Sequence, residues 1–308
     1  MPLLQKILLV VNPLIERRFD LSGAEQVFRN AGVDLHKLRT LPHHATVDKL
    51  REALPNNYDA VIVAGGDGTI FDAVQAVAGT ATPIGLIPFG TGNVLAQNLR
   101  ISTDALQAAN SILNARPRRI ALGRITCADK DDPPRSWYFV FSAGLGMHAS
   151  LMEASHAWGK RTIGAAAYFA AGTQLLFSGS IVPFEMETTD LQGRVETSIC
   201  CEAIATRVPE LNRWRPAGDL DAAWIRIFSV SGRSRLDLAR AFTHAILYRS
   251  AERAGVAHQG DFVRAVFRPL PAYKHLAPVQ IQADGEVLGH STAILETTDA
   301  TVTFLQPA

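Results

Sequence analysis

The sequence lacks several features that would have set its class at once. It has three cysteines, Cys127, Cys200 and Cys201, in 308 residues. Three such thiols make neither a disulfide framework nor a zinc pattern, and they read as reduced packing residues of a cytoplasmic protein. Cys200 and Cys201 fall in an apolar run and, as neighbours in a strand, should face opposite sides. Charge of one sign is also missing. Lys and Arg total 30 against 29 Asp and Glu, a formal net charge of +1, so overall electrostatics give no reason to expect a nucleic-acid partner. The local basic clusters Arg116, Arg118, Arg119 and Arg213, Arg215 read as solvated faces. The longest apolar stretches, residues 7–11 and 164–177, fall short of the roughly 20 residues that cross a bilayer. The N-terminal run has no signal-peptide cleavage pattern either. Any membrane contact is therefore expected to be peripheral. Internal repeats and low-complexity tracts are absent.

Hydrophobic residues make up 47% of the chain, ample for a packed core, and the length suggests two domains. In the first 120 residues short apolar runs alternate with helical patterns. Strands are predicted at 7–11, 33–38, 59–64 and 84–87. Helices are predicted at 22–31 with Ser22 as cap, at 47–54, after a glycine loop with Ile70, Val74 and Val77 at helical spacing, and from about Val94. Strict alternation implies an α/β N-terminal domain with a parallel sheet and helices on both faces. Its expected extent is 1–120, rejoined by about 299–308. Residues 121–298 have closely spaced β-rich runs, at 137–141, 181–188, 195–205, 224–228, 262–267, 279–283 and 293–297, with a last run at 302–305. Helical stretches at 149–176 and 236–248 interrupt them. This predicts a mostly antiparallel, β-rich C-terminal domain, α+β in class. Residues 128–135 read as a surface loop.

Ligands of parallel sheets with covering helices bind beyond the carboxyl ends of the strands. Three loops sit at that edge. The first is Asn12-Pro13, where proline ends the strand. The second, Gly65-Gly66-Asp67-Gly68-Thr69, follows a buried strand and opens a helix. Its glycines allow close backbone approach, so that N–H groups and the helix dipole can face an anion. Asp67 would repel a phosphate unless a cation lay between them, and Mg²⁺ resolves that repulsion. The third, Pro88-Phe89-Gly90-Thr91-Gly92-Asn93, offers more backbone donors, with Thr91 and Asn93 as hydrogen-bonding side chains. A tight turn capped by its own side chain is the plainer alternative for each loop. Far downstream, Asp284-Gly285-Glu286 reads as a hairpin turn or as a carboxylate pair placed for proton transfer.

The sequence from Ala64 to Asp72 resembles the signature of the diacylglycerol kinase catalytic domain, shared by bacterial lipid kinases and sphingosine kinases. The Pro88–Asn93 loop resembles that family's Pro-x-Gly-Thr-x-Asn motif and separates the chain from NAD kinases, whose Asn-Glu pair is not found. The resemblance implies an ATP-dependent kinase acting on a diacylglycerol-like or sphingoid- or ceramide-like hydroxyl. Asn12, Gly65, Gly66, Asp67, Gly68, Thr69, Gly90, Thr91, Gly92 and Asn93 would hold ATP, with Asp67 toward Mg²⁺. Asp284 would be the general base and Glu286 its partner. The expected partner is a lipid at a membrane surface, met by peripheral contact from the cytoplasm, with Trp158, Lys160 and Arg161 as an interfacial element; a homodimer stays open. Phe141–Met147 resembles an Asn-x-x-Gly-x-Gly stretch, with Ser142 for Asn. Departures are marked: Leu14–Arg18 replaces a small-residue turn, where Arg17 or Arg18 would face phosphate. Val94 and Ala121 replace acids. Gly218-Asp219-Leu220-Asp221-Ala222-Ala223 replaces a structural-metal motif. These losses keep two alternatives in view, a nucleotide- or lipid-binding regulator and, behind it, an NAD kinase.

Overall fold

The computed structural model describes residues 4–42, 45–90, 92–128, 133–146, 181–209, 218–231, 236, 257–273, 279–290 and 292–308. The chain divides into two compact units, residues 1–122 with 299–308, and residues 123–298. The helical stretch expected at 149–176 and, apart from Leu236, the one expected at 236–248 lie outside the described residues, as do Thr91, Arg213, Arg215 and the interfacial residues Trp158, Lys160 and Arg161.

In the first unit β1 (Lys6–Val11) pairs in parallel with β2 (Asp34–Arg39) and β3 (Ala60–Gly65). Beyond β3, β4 (Ile84–Pro88) pairs in parallel with β3 and, at Ile84, with Phe304 of β15 (Thr292–Gln306). β3 and β4 are buried along their whole length, as continuous apolar runs require when both faces are covered. The helices are α1 (Pro13–Arg18), α2 (Ser22–Asn30), α3 (Ala45–Ala53), α4 (Asp67–Val77), α5 (Val94–Asn98) and α6 (Ala105–Leu113). Phe28 of α2, Leu50 of α3, Phe71 and Val74 of α4 and Ile112 of α6 fill the core.

Several local expectations are corrected. Ser22 does not cap α2 but is its first residue. The cap position is Leu21, and Asp20 Oδ1 accepts from the Ser22 N–H at 2.8 Å. Leu14–Arg18, which stand where the family has a small-residue turn, are helical. Asn12 Oδ1 accepts from Leu14 N–H, Pro13 sits at the first helical position, and the Asn12 carbonyl accepts from Ile15 and Glu16. This combination starts a helix whatever the following residues are. Glu16 then anchors α1 to β2. Its carboxylate lies 2.7 Å from Arg39 Nε and 3.1 Å from Lys37 Nζ, and Lys37 also reaches Glu25 of α2 at 2.6 Å. The Arg39 hydrogen bond, followed by that of Lys37, holds the Glu16 carboxyl down at about 2. This anchor is therefore present above the ordinary Glu range and is lost only as the pH falls through about 2. Arg17 and Arg18 are exposed on α1.

The second unit is antiparallel. β7 (Ser142–Gly146) lies between β10 (Glu202–Thr206) and β13 (Gln280–Ala283), which pairs in turn with β14 (Glu286–His290). On the other side β10 pairs with β11 (Ile225–Val230), β11 with β12 (Ala257–Pro269), and β12 with the first part of β15. β8 (Phe184–Asp190) pairs with β12 and β9 (Val195–Cys200), and β5 (Arg116–Ala128) with β6 (Arg135–Phe139). The run 195–205, expected as one strand, is broken at Cys201 into β9 and β10. The runs 293–297 and 302–305, expected as two, are one strand, β15. Cys127, Cys200 and Cys201 are free and buried, and burial pushes the Cys200 thiol up. Among the described residues no helix is long and apolar enough to cross a membrane.

Candidate functional site

β3 ends at Gly65, Gly66 occupies the N-cap position of α4 in extended backbone, and Asp67 is the first helical residue. The Gly66 carbonyl accepts from Thr69 and Ile70 N–H at 3.0 and 3.1 Å. Ahead of these bonds, the N–H groups that open α4 together with the helix dipole make an anion-facing terminus. Gly68 belongs to the same first turn. Thr69, 7% exposed, folds its side chain back over Gly65.

The second loop packs directly on the first. Gly65 pairs with Pro88, and Phe89 N–H donates to the Gly65 carbonyl at 2.9 Å. A Cβ on Gly66 would stand 3.2 Å from Gly90 Cα, and one on Gly90 3.0 Å from Gly66 Cα. A Cβ on Gly92 would stand 3.1 Å from Asp67 Oδ2. The glycines are thus what let two backbones meet face to face, with the Asp67 carboxylate against the second loop. Asn93, buried and at φ 45°, accepts from Gly90 N–H at 2.8 Å through Oδ1, so its side chain braces the loop from within. Asn is among the few residues that tolerate this left-handed backbone. Gln97 Nε2 donates to the Gly92 carbonyl at 2.7 Å. Val94, where an acid was a family expectation, is 6% exposed, and its Cγ2 lies 3.7 Å from the position of a Gly92 Cβ. Asn12 closes the group: its N–H donates to the Ala64 carbonyl at 3.3 Å, and its side chain is committed to the α1 cap. The first unit therefore brings together Asn12, Gly65–Thr69 and the described residues of Gly90–Asn93.

This geometry yields a direct expectation. Gly90→Ala would place a methyl group 2.8 Å from Asn93 Oδ1 and 3.0 Å from Gly66 Cα. It should cost about 1–3 kcal/mol, seen as a lower denaturant midpoint at unchanged slope. An unchanged midpoint would contradict the loop-on-loop contact.

Sequence reasoning missed the wall of the adjoining cavity, about 410 Å³ and lined by Phe19, Asp20, Pro88, Phe89, Gly90, Asn93, Thr103, Asp104 and Ala105. Phe19 and Phe89 meet with ring centroids 5.1 Å apart. Asp20 and Asp104, the cavity's two carboxylates, each accept a backbone N–H through Oδ1, from Ser22 and Gln107 respectively. The available signal was Asp104, an N-cap accepting from Gln107 N–H at 2.8 Å, which would have revealed α6.

Asp284 and Glu286 belong to the second unit. β13 and β14 are joined by the two-residue loop Asp284-Gly285, with φ 48° and 90°. Positive φ at both central residues is the requirement of the hairpin turn that Asp-Gly favours. The Asp284 side chain is 2% exposed. Its Oδ2 accepts from Val140 N–H at 2.7 Å, and Oδ1 from Phe141 and Ser142 N–H, both at 2.9 Å. Gln282, fully buried, accepts from Gly285 N–H at 3.0 Å. Asp284 thus pins the β6–β7 connection, and most of its acceptor capacity is engaged. Glu286 is half-exposed at the start of β14, where it pairs with Ala283, and its side chain makes no hydrogen bond or ion pair with the described residues. Ser142 begins β7 and donates its N–H to Asp284, which gives the Ser142–Gly146 stretch a structural part. Ala121 is half-buried in β5.

Residues 6–125 match the family model described as the diacylglycerol kinase catalytic domain. A protein named diacylglycerol kinase from Staphylococcus saprophyticus is 25% identical over 203 residues, 65% of this chain and 63% of that relative, so the match covers less than two thirds of its length. A crystal structure of a diacylglycerol kinase from Bacillus anthracis superimposes with a TM-score of 0.67 at 17% identity, over 98% of this chain and 97% of that one. Yeast NADH kinase complexed with NADH superimposes with a TM-score of 0.55 at 10% identity, over 100% of this chain and 85% of that one. At these identities the two structures speak for the fold alone.

Proposed function

From the premise that residues 6–125 belong to the diacylglycerol kinase catalytic domain family, we propose that the protein is an ATP-dependent lipid kinase. It transfers the γ-phosphate to a hydroxyl of a diacylglycerol-like or sphingoid- or ceramide-like lipid. The observation that carries this reading is the pair of glycine loops in backbone contact at Gly66 and Gly90, with the Asp67 carboxylate against Gly92. The N–H groups opening α4 bind phosphate oxygens, and the packing of Gly90 on Gly66 and of Gly92 on Asp67 keeps them in place. Phosphoryl transfer asks for positioning and charge neutralisation more than for covalent chemistry.

Mg²⁺ fits the donor set. Among the described residues no group of three or more metal-ligating side chains exists. A single carboxylate beside phosphate-facing amides suits an ion that keeps its waters and shares its ligands with a nucleotide. Asp67 would hold it, and the ion would neutralise charge on the phosphates. The resemblance assigns the proton of the attacking hydroxyl to the Asp284 and Glu286 carboxylates of the second unit. Glu286 is the half-exposed carboxylate of the pair, and Asp284, expected from the sequence to be the base itself, fixes the turn through three backbone N–H groups. The substrate is met at a membrane surface by peripheral contact.

The test is incubation with labelled ATP, Mg²⁺ and a total lipid extract. Label should appear in one lipid class. Binding of ATP with no labelled lipid would favour a nucleotide-binding regulator, and label on NAD⁺ would overturn both readings.

A further inference from the structure

Arg207 is the one arginine among the largest fully buried side chains of the described residues, at 0% exposure. It makes no ion pair with the described residues, although a guanidinium stays charged in any protein setting. Instead it donates to three carbonyls, Nη2 to Leu220 at 3.2 Å and Ala222 at 2.8 Å, and Nη1 to Trp224 at 3.4 Å. The chain closes tightly around it. Gly218 N–H donates to the Val208 carbonyl at 3.1 Å. A Cβ on Gly218 would lie 2.7 Å from that oxygen and 2.8 Å from the Arg207 carbonyl carbon, so only glycine fits. Asp219 Oδ1 accepts from Asp221 N–H at 2.9 Å and shapes the same loop. Burial lowers the arginine's proton affinity, and the charges of Asp219, Asp221 and Asp284 oppose that effect.

Arg207 also reaches the Asp284 turn through a single residue. Its N–H donates to the Phe141 carbonyl at 3.0 Å, and Phe141 N–H donates to Asp284 Oδ1 at 2.9 Å. Thr206 Oγ1 donates to the same Phe141 carbonyl at 3.2 Å. Phe141 is therefore held through both its N–H and its carbonyl.

Carbonyl oxygens converging on a buried positive charge, with two carboxylates in the same loop, form the ligand set of a hard cation. Here the cation is part of the chain. We propose that Arg207 is the built-in cation of the second unit, a positioning residue that organises residues 218–224 without a metal and, through Phe141, fixes the backbone that holds Asp284. Its bearing on turnover rests on the proposed kinase reading; its metal-independent hold on the loop does not.

The nucleotide-free wild-type protein should melt at the same temperature with a chelator and with millimolar Mg²⁺ or Ca²⁺. Arg207→Met, similar in reach but uncharged, should melt roughly 10 °C lower, because three carbonyls lose their donor. Arg207→Lys keeps a cation without the planar fork and should fall between the two. In lipid phosphorylation, Arg207→Met should lose kcat by at least about 10-fold with KM for ATP unchanged. A chelator that lowers the wild-type midpoint would overturn the proposal by showing that a metal holds the loop, and this arm stands even if Arg207→Met does not fold. A Met variant as stable and active as wild type, or a Lys variant no better than Met, would overturn it equally. If wild-type protein labels no lipid, the kinase reading fails while the melting temperatures still decide the role of Arg207.

Discussion

Asp67→Asn is expected to leave the fold intact and to lower lipid phosphorylation by more than about 100-fold. The side chain is isosteric, so its place against Gly92, where a Cβ would meet Oδ2 at 3.1 Å, is kept. Asp67 is also the acidic residue of the first turn of α4, where its charge favours the helix by about 0.3–1 kcal/mol. The stability loss should therefore be small and salt-sensitive. On the proposed reading, what disappears is the charge that would make a Mg²⁺–nucleotide complex, rather than the bare nucleotide, the favoured ligand. Calorimetric titration with ATP in the presence and absence of Mg²⁺ separates the effects. Wild-type protein should bind more tightly with the ion, and Asp67→Asn should lose that difference. A variant within a few-fold of wild-type turnover would rule out Asp67 as the metal-facing residue.

The second large effect concerns the hairpin of the second unit, where two neighbouring acids are expected to fail in different ways. Asp284→Ala leaves the N–H groups of Val140, Phe141 and Ser142 without the acceptor around which they are arranged. Bonds to a charged acceptor contribute about 1.5–3 kcal/mol each, and buried donors left unmet are costly. Losses within one network do not simply add, so a total of about 3–5 kcal/mol is expected, together with loss of turnover. Alanine also fits badly at φ 48°. Asp284→Asn tolerates that backbone and keeps one acceptor oxygen, so it should recover part of the stability. Glu286→Gln, at a half-exposed position, should leave stability within about 0.5 kcal/mol while phosphorylation falls by about 10²–10⁴-fold, the range of a lost proton acceptor. Denaturant unfolding beside single-turnover kinetics reads both properties. If Glu286→Gln keeps wild-type turnover and Asp284→Asn loses it without loss of stability, the proton acceptor is Asp284.

Much of the fold was legible in the sequence because burial on both faces writes itself as uninterrupted apolar residues. β1, β3 and β4 are such runs, and the strand-to-helix glycine motif marks where α4 begins. The class of the second unit followed from the density of its β-rich runs. Joins and breaks were not legible. Nothing local says that Cys201 separates β9 from β10, because both cysteines are apolar enough to be buried on either side of a bend. Nor does the local pattern join two runs into β15, whose intervening residues are half-buried or, at Asp299, exposed. Helix α1 has only six residues, too few for a helical period to show, although its cap, Asn12 before Pro13, is a local signal.

The sequence by itself determined which residues could face a phosphate. Gly65–Thr69 and Gly90–Asn93 have the small side chains and the strand-to-helix placement that such a loop requires, and these are local properties. Only the tertiary structure decided what each side chain is free to do. Asn93 and Asn12 spend their oxygens on their own loops. Asp284 spends its carboxylate on three N–H groups of a segment 142–144 residues away, and Arg207 is enclosed by carbonyls of residues 220, 222 and 224. Hydrogen-bonding capacity is finite. Whether an acid or an amide remains available to a ligand depends on which distant backbone groups the fold brings to it first.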